Sequence, residues 1–147
     1  MTGPAAGQPL QILLVEDNPG DVFLFEKALR GNVHPCQLTT VSDGGEAIAY
    51  LRRQDRHRHA ARPHVVVLDL NLPVRSGLDV LCDVKSDPGL KEIPVVVYSS
   101  SSAQDDVLRS YQLHANCYIV KRADIDGLSA CIQSMCAFWT SVTELPS

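Results

Sequence analysis

The feature that most restricts how this chain can fold is a rhythm in which short apolar runs rich in β-branched residues alternate with stretches of helical spacing. The runs fall at residues 10–15, 38–41, 65–68, 94–98 and 116–120. Runs this short suit strands covered on both faces. Between them, Asn18-Pro19 opens a helix that Gly31 and Asn32 stop, and Ser42-Asp43-Gly44-Gly45-Glu46 opens a second that runs to about residue 57. Ser42 or Asp43 can cap that second helix, with Glu46 as a capping-box partner for Asp43. A third helix carries Leu78, Leu81 and Val84 and closes at Asp87-Pro88-Gly89, a fourth spans 104–113 and a fifth spans 124–141. Strand and helix repeated five times with short connections predict an α/β fold, a parallel sheet with helices on both faces.

The chain of 147 residues has room for one good core and not for two. Residues 1–8 read as a Gly/Pro/Ala leader, and residues 9–147 as one domain with a short extension. About six residues follow the last helix, so no output domain is expected. There is no basic-then-apolar signal segment, and no run approaches the roughly 20 apolar residues that span a bilayer. A cytoplasmic protein is expected. A net charge of -4 gives no general reason to expect nucleic-acid binding, which usually needs a basic face. The five cysteines are scattered without a Cys-x-x-Cys pair and read as reduced, structural thiols.

Parallel strands all present their carboxyl ends on one edge. The third run ends in Asp69, a residue costly in a core but natural at the ligand-binding edge of an open α/β sheet, and Pro73 then takes the chain out of the sheet. The first run delivers Glu16 and Asp17, the third adds Asn71, the fourth Ser99 and the fifth Lys121. Three clustered carboxylates repel one another unless a cation neutralises them, which argues for a metal. Oxygen ligands with room for waters and a phosphate suit Mg²⁺ better than zinc.

These residues, together with Pro73 and the Tyr118-x-x-Lys121 pattern on the fifth strand, resemble the receiver domain of two-component response regulators over roughly residues 10 to 141. The resemblance implies a flavodoxin-like (βα)5 fold with strand order 2-1-3-4-5. It implies that Asp69 accepts a phosphoryl group from the phosphohistidine of a partner kinase. Asp17, Asp69 and the backbone carbonyl of Asn71 would bind Mg²⁺, Glu16 would act largely through water, and Lys121 would neutralise the transferring group. Ser99 would then bond the phosphoryl group and leave room for Tyr118 to swing inward as the switch. Such a protein is not an enzyme in the ordinary sense and catalyses only its own phosphotransfer and dephosphorylation. One position departs from the pattern. Arg122 stands where the family has a proline after a cis bond; a cis bond before a non-proline costs about 2.5–4 kcal/mol, so the Lys121-Arg122 bond is left open.

Val15-Glu16-Asp17-Asn18-Pro19-Gly20-Asp21, Lys85-Ser86-Asp87-Pro88, Asn116-Cys117-Tyr118-Ile119 and Phe138-Trp139 further resemble the small single-domain regulators paired with bacterial phytochrome histidine kinases. On the fifth helix Ile125, Leu128, Ile132, Met135 and Trp139 form one stripe, and Cys131, Phe138 and Val142 widen it to roughly 160°, more than docking on the sheet requires. The excess predicts a homodimer through helix four, strand five and helix five, with residues 138–145 contributing. The run Arg52 to His59 with Arg62 and His64 holds five of the 13 basic residues. It reads as a solvated helix end, with a docking surface for an acidic partner as the alternative; His57-x-His59 does not suffice to assign a metal.

Two rival readings lead elsewhere. A haloacid-dehalogenase-type phosphatase also uses an Asp after a parallel strand, but it needs an acid two residues on, where this chain has Asn71. A receiver-like interaction module that is never phosphorylated would have no reason to keep a complete acid site.

Overall fold

A computed structural model describes residues 8–31, 34–121 and 124–142. Five strands, β1 (Leu10–Val15), β2 (Cys36–Val41), β3 (Val65–Leu68), β4 (Val95–Ser99) and β5 (Cys117–Val120), form one parallel sheet in the order β2-β1-β3-β4-β5. The helices are α1 (Pro19–Arg30), α2 (Gly44–Leu51), α3 (Gly77–Ser86), α4 (Gln104–Gln112) and α5 (Ile125–Ala137). This is the expected α/β architecture and strand order. Among the described residues no helix is long and apolar enough to cross a membrane.

The side-chain period of two divides each central strand between two cores. Leu13, Val15, Val66, Leu68, Val95 and Val97 pack with α2 and α3, whereas Ile12, Leu14, Val65, Val67, Val96 and Tyr98 pack with α1 and α5. Every residue of β3 and β4 is buried, which is why those stretches read as unbroken apolar runs rather than as an alternation.

Local signals set most helix starts. Asn18 accepts bonds from the Gly20 and Asp21 amides with Pro19 at the first helical position, and Ser76 caps α3. Asp43 caps α2, but Glu46 does not complete a capping box; its carboxylate pairs with Arg56 and lies 3.6 Å from His57. The second helix also ends earlier than the sequence suggests, at Leu51 rather than near residue 57. Arg53 turns left-handed at φ 54°, with its amide bonded to the Tyr50 carbonyl and the Gln54 amide to the Ala49 carbonyl. That is a Schellman stop with arginine where glycine is usual. The remaining basic stretch is a 3₁₀ turn at Asp55–His57, and its arginines serve as fasteners: Arg52 lies 3.4 Å from Asp87, and Arg62 bonds the Gly89 carbonyl.

On α5, Leu128, Ile132 and Met135 are buried and Trp139 packs beside them, while Phe138 opens a π-helical turn (Phe138–Val142) and stays 46% exposed. The side chains of Ile125 and Val142, residues 143–147 and the leader 1–7 lie outside the described residues. Cys36, Cys117 and Cys131 are partly buried, Cys136 is fully buried against Cys36 with the sulfurs 3.3 Å apart, and Cys82 is exposed.

Candidate functional site

Main-chain pairing continues just past three strands and fixes the first residue beyond each. The Glu16 amide bonds the Val41 carbonyl, the Asp69 amide bonds Val15, and the Lys121 amide bonds the Ser99 carbonyl at 2.8 Å. These rungs bring Glu16, Asp17, Asp69, Asn71 and Lys121 to one open cleft of about 500 Å³, whereas Ser99, expected there too, is not among the residues that line it. Asp21 and Ser100 line it as well. Ser99 is fully buried, and its hydroxyl accepts from the Ser101 amide at 3.3 Å.

The backbone under Asp69 is held by contacts that admit no side chain. A Cβ on Gly77 would come within 2.1 Å of the Asp69 carbonyl oxygen and 2.6 Å of Leu70 Cα, so only glycine lets α3 start there. A Cβ on Gly44 would meet the Arg75 carbonyl oxygen at 2.3 Å, so α2 clamps the same β3–α3 loop from its other side. Between the clamps Val74 is forced to φ 69° with 82% of its surface exposed, an unfavourable conformation for a β-branched residue.

Charge in the cleft is unbalanced. Glu16 and Asp69 are buried, Asp17 is exposed, and each of the three offers an oxygen within 4.8 Å of the others. Lys121 Nζ lies 2.6 Å from Glu16, 2.8 Å from Asp21 and 3.5 Å from Asp69, and 5.7 Å from the centre of the Tyr98 ring. Burial pushes the Glu16 carboxyl up to about 7; the bond from Lys121 pulls it back and the Asp69 charge adds to the rise. Burial alone would lower the Lys121 ammonium, but its bonds to Asp21 and Glu16 hold it above the usual lysine range. One ammonium against four acids leaves an excess of negative charge that a divalent cation would neutralise, and the all-oxygen donor set fits a hard cation.

Tyr118 is half-buried against the α2/α3-side core. Its hydroxyl donates to the Ser101 carbonyl at 2.8 Å, and its amide donates to the Tyr111 hydroxyl at 3.1 Å. Ser101 in turn donates to Asp106 at 2.6 Å and accepts from the Ala103 amide, so the β4–α4 loop is closed by its own serines. The Lys121-Arg122 bond lies outside the described residues.

Sequence reasoning missed Asp21. Its place in the first turn of α1 gave no signal beyond that of an ordinary acid at a helix start. It also missed Tyr111, which nothing in the local pattern distinguishes from a surface tyrosine.

A family model described as the response regulator receiver domain matches residues 12–133. Response regulator Rcp1 of Synechocystis sp. is 40% identical over 139 residues, covering 95% of each chain. The solved structure of the phosphorylated cyanobacterial phytochrome response regulator RcpA superposes with a TM-score of 0.89 at 47% identity, covering 95% of this chain and 99% of that one. The Mn²⁺-bound form of Rcp1 superposes with a TM-score of 0.87 at 40% identity over 95% of this chain and all of the other.

Proposed function

This chain belongs to the response regulator receiver family, and from that premise we propose that Asp69 is its phosphoacceptor in a Mg²⁺-assisted transfer from a histidine kinase. The observation that carries this is a buried carboxylate held by glycine-tight backbone contacts, with two further acid ligands and a lysine ammonium around it. In the transfer, an Asp69 carboxylate oxygen forms a bond to phosphorus as the bond from phosphorus to the donor breaks. The donor atom departs with the bonding pair. Phosphoryl transfer is governed by positioning and by neutralising the equatorial oxygens, and the cleft supplies groups for both.

Glu16, Asp17 and Asp69, with the Asn71 carbonyl, would hold the ion, and Mg²⁺ would add positive charge beside the transferring group. The Mn²⁺-bound form of Rcp1 supports a divalent ion, and the oxygen-only donor set supports magnesium. Lys121, whose Nζ lies 3.5 Å from the Asp69 carboxylate, would neutralise the arriving phosphoryl group. Ser99 responds to it at the end of β4 and Tyr118 transmits the change, a reading supported by the bond that already ties Tyr118 to the β4–α4 loop. Hydrolysis of the acyl phosphate in the same cleft resets the protein. Asn71 provides no acid for turnover phosphatase chemistry.

Likeness to RcpA and Rcp1 supports a phytochrome-type kinase as the donor and a cytoplasmic setting. Signalling proceeds through protein contact by the described receiver domain. Leu108, Tyr111, Val120 and Phe138 are exposed on α4, β5 and the end of α5, and we assign this face to a homodimer. Light scattering should show a dimer; a monomer both with and without phosphorylation removes that assignment.

The acceptor is tested with acetyl phosphate and Mg²⁺ followed by intact-mass measurement. The wild type should gain one phosphate and Asp69→Asn none. Persistent phosphorylation of that variant would overturn the assignment.

A further inference from the structure

Four elements present a group to the Lys121 ammonium: Glu16 from the end of β1, Asp21 from the first turn of α1, Asp69 from the end of β3, and the Tyr98 ring from β4. An ammonium has three protons, and there are three carboxylates to take them. The contacts to Glu16 and Asp21, at 2.6 and 2.8 Å, are firm, while the contact to Asp69, at 3.5 Å, is at the limit of a hydrogen bond. The third proton is therefore directed toward the acceptor without being tightly held by it.

Asp21 differs from the other acids. It stands outside the trio that can share a metal, and its side chain is about one-third exposed, at the rim of the cleft. Its main chain is fixed, because the Asn18 cap accepts its amide at 3.2 Å and Pro19 sets the helix start. Lys121 is the reverse, a long flexible side chain at the tip of a four-residue edge strand. A rigid carboxylate thus meets a flexible ammonium.

We propose that Asp21 is a positioning residue for phosphoryl transfer, holding the Lys121 ammonium so that its remaining proton faces the oxygen of Asp69 onto which the phosphoryl group arrives. This rests on the reading of Asp69 as acceptor. With acetyl phosphate as donor, the new bond joins an Asp69 oxygen to phosphorus, and acetate leaves with the electrons of the broken phosphorus–oxygen bond. Charge on the equatorial oxygens then lies where the third proton of Lys121 is aimed. Without Asp21 the ammonium keeps its charge and loses its fixed direction.

The test follows phosphate uptake from acetyl phosphate at saturating Mg²⁺ by intact mass in the wild type, Asp21→Ala, Asp21→Asn, Lys121→Ala and the Asp21→Ala/Lys121→Ala double variant. Asp21→Ala should lower the maximal rate about tenfold, as expected for losing one hydrogen bond to a charged group at a partly exposed site. The acetyl phosphate concentration for half-maximal rate and the Mg²⁺ affinity should not move. Asp21→Asn keeps an oxygen that accepts the Lys121 proton and should recover most of the rate. With Lys121 already replaced, Asp21→Ala should have no further effect, a non-additivity that a purely structural role does not produce.

An undiminished or faster rate in Asp21→Ala, equal slowing in the Lys121→Ala background, or slowing explained by weaker Mg²⁺ binding overturns the proposal. Should Asp21→Ala fail to fold, Asp21→Gln, which displaces the acceptor by one methylene, takes its place with the same expectations. A wild type that gains no phosphate, or an Asp69→Asn variant that still gains it, defeats the acceptor assignment itself. A normal wild type with an insensitive Asp21→Ala defeats the positioning role alone.

Discussion

Two partly buried lysines stand at opposite edges of the same sheet, and their partners could hardly differ more. At the amino edge, Lys85 at the end of α3 donates to the carbonyls of Lys91 and Ile93 at 3.0 and 2.8 Å and to Asn116 Oδ1 at 3.2 Å. Asn116 also accepts the Val95 amide, so one cluster ties α3 to the entrances of β4 and β5. At the carboxyl edge Lys121 faces three carboxylates. Burial lowers the Lys85 ammonium, whose partners are all neutral, while the acids hold Lys121 above the ordinary range despite its burial. The lesson concerns charge rather than hydrogen bonding, since both ammonium groups have three acceptors. Neutral partners complete Lys85 and make it a fastener. Lys121 sits in an excess of negative charge, so its surroundings still call for a cation and can respond to an arriving anion.

Replacing each lysine in turn is the most direct way to break this contrast. Lys121→Ala should slow uptake from acetyl phosphate by roughly 10²–10³-fold, the usual cost of removing one electrostatic donor from a reacting group. Lys85→Met should leave uptake unchanged. If the two variants lose activity alike, the contrast has no functional content.

The pH dependence of metal binding sharpens it further. Glu16 is raised from 4.5 to about 7 in the folded chain, so between these values the metal-free native state keeps a proton that the unfolded chain has released. Metal-free stability should therefore fall as pH rises through that window. Mg²⁺ favours the ionised carboxylate, so below pH 7 its apparent affinity should weaken by about tenfold per pH unit at most, measured by calorimetric titration. Glu16→Gln should flatten both profiles; unchanged profiles in that variant would show that another group governs them.

The smallest effect belongs to Lys85. Removing its ammonium leaves partly buried carbonyls without a donor, at about 1–3 kcal/mol. Thermal melting should register this as a drop of a few degrees with Lys85→Met, and an unmoved midpoint would deny it a fastening role.

The carboxyl edge was legible in the sequence because parallel strands end on one side, so Glu16, Asp69 and Lys121 could be brought together from their positions after apolar runs. The strand order came from the family resemblance, since local pattern does not say which strand lies beside which. Asp21 escaped because an acid in the first turn of a helix is ordinarily explained by the helix dipole, and only the folded sheet shows a lysine from a distant strand beside it. The end of α2 escaped for a different reason. Arg53 in the left-handed region does the work of a C-terminal glycine, and His114 at φ 71° does the same after α4. Neither residue announces a stop, because hydrogen bonds elsewhere in the turn bear the conformational cost.

The rung that joins the Lys121 amide to the Ser99 carbonyl at 2.8 Å has a mechanical consequence. The tips of β4 and β5 form a single crossbar rather than two independent fingers. A pull on the lysine is carried along main chain into the start of the serine loop, and a shift of that loop returns by the same path to the charged end of the cleft. The charged end of the cleft and the start of the serine loop are thus built on one beam.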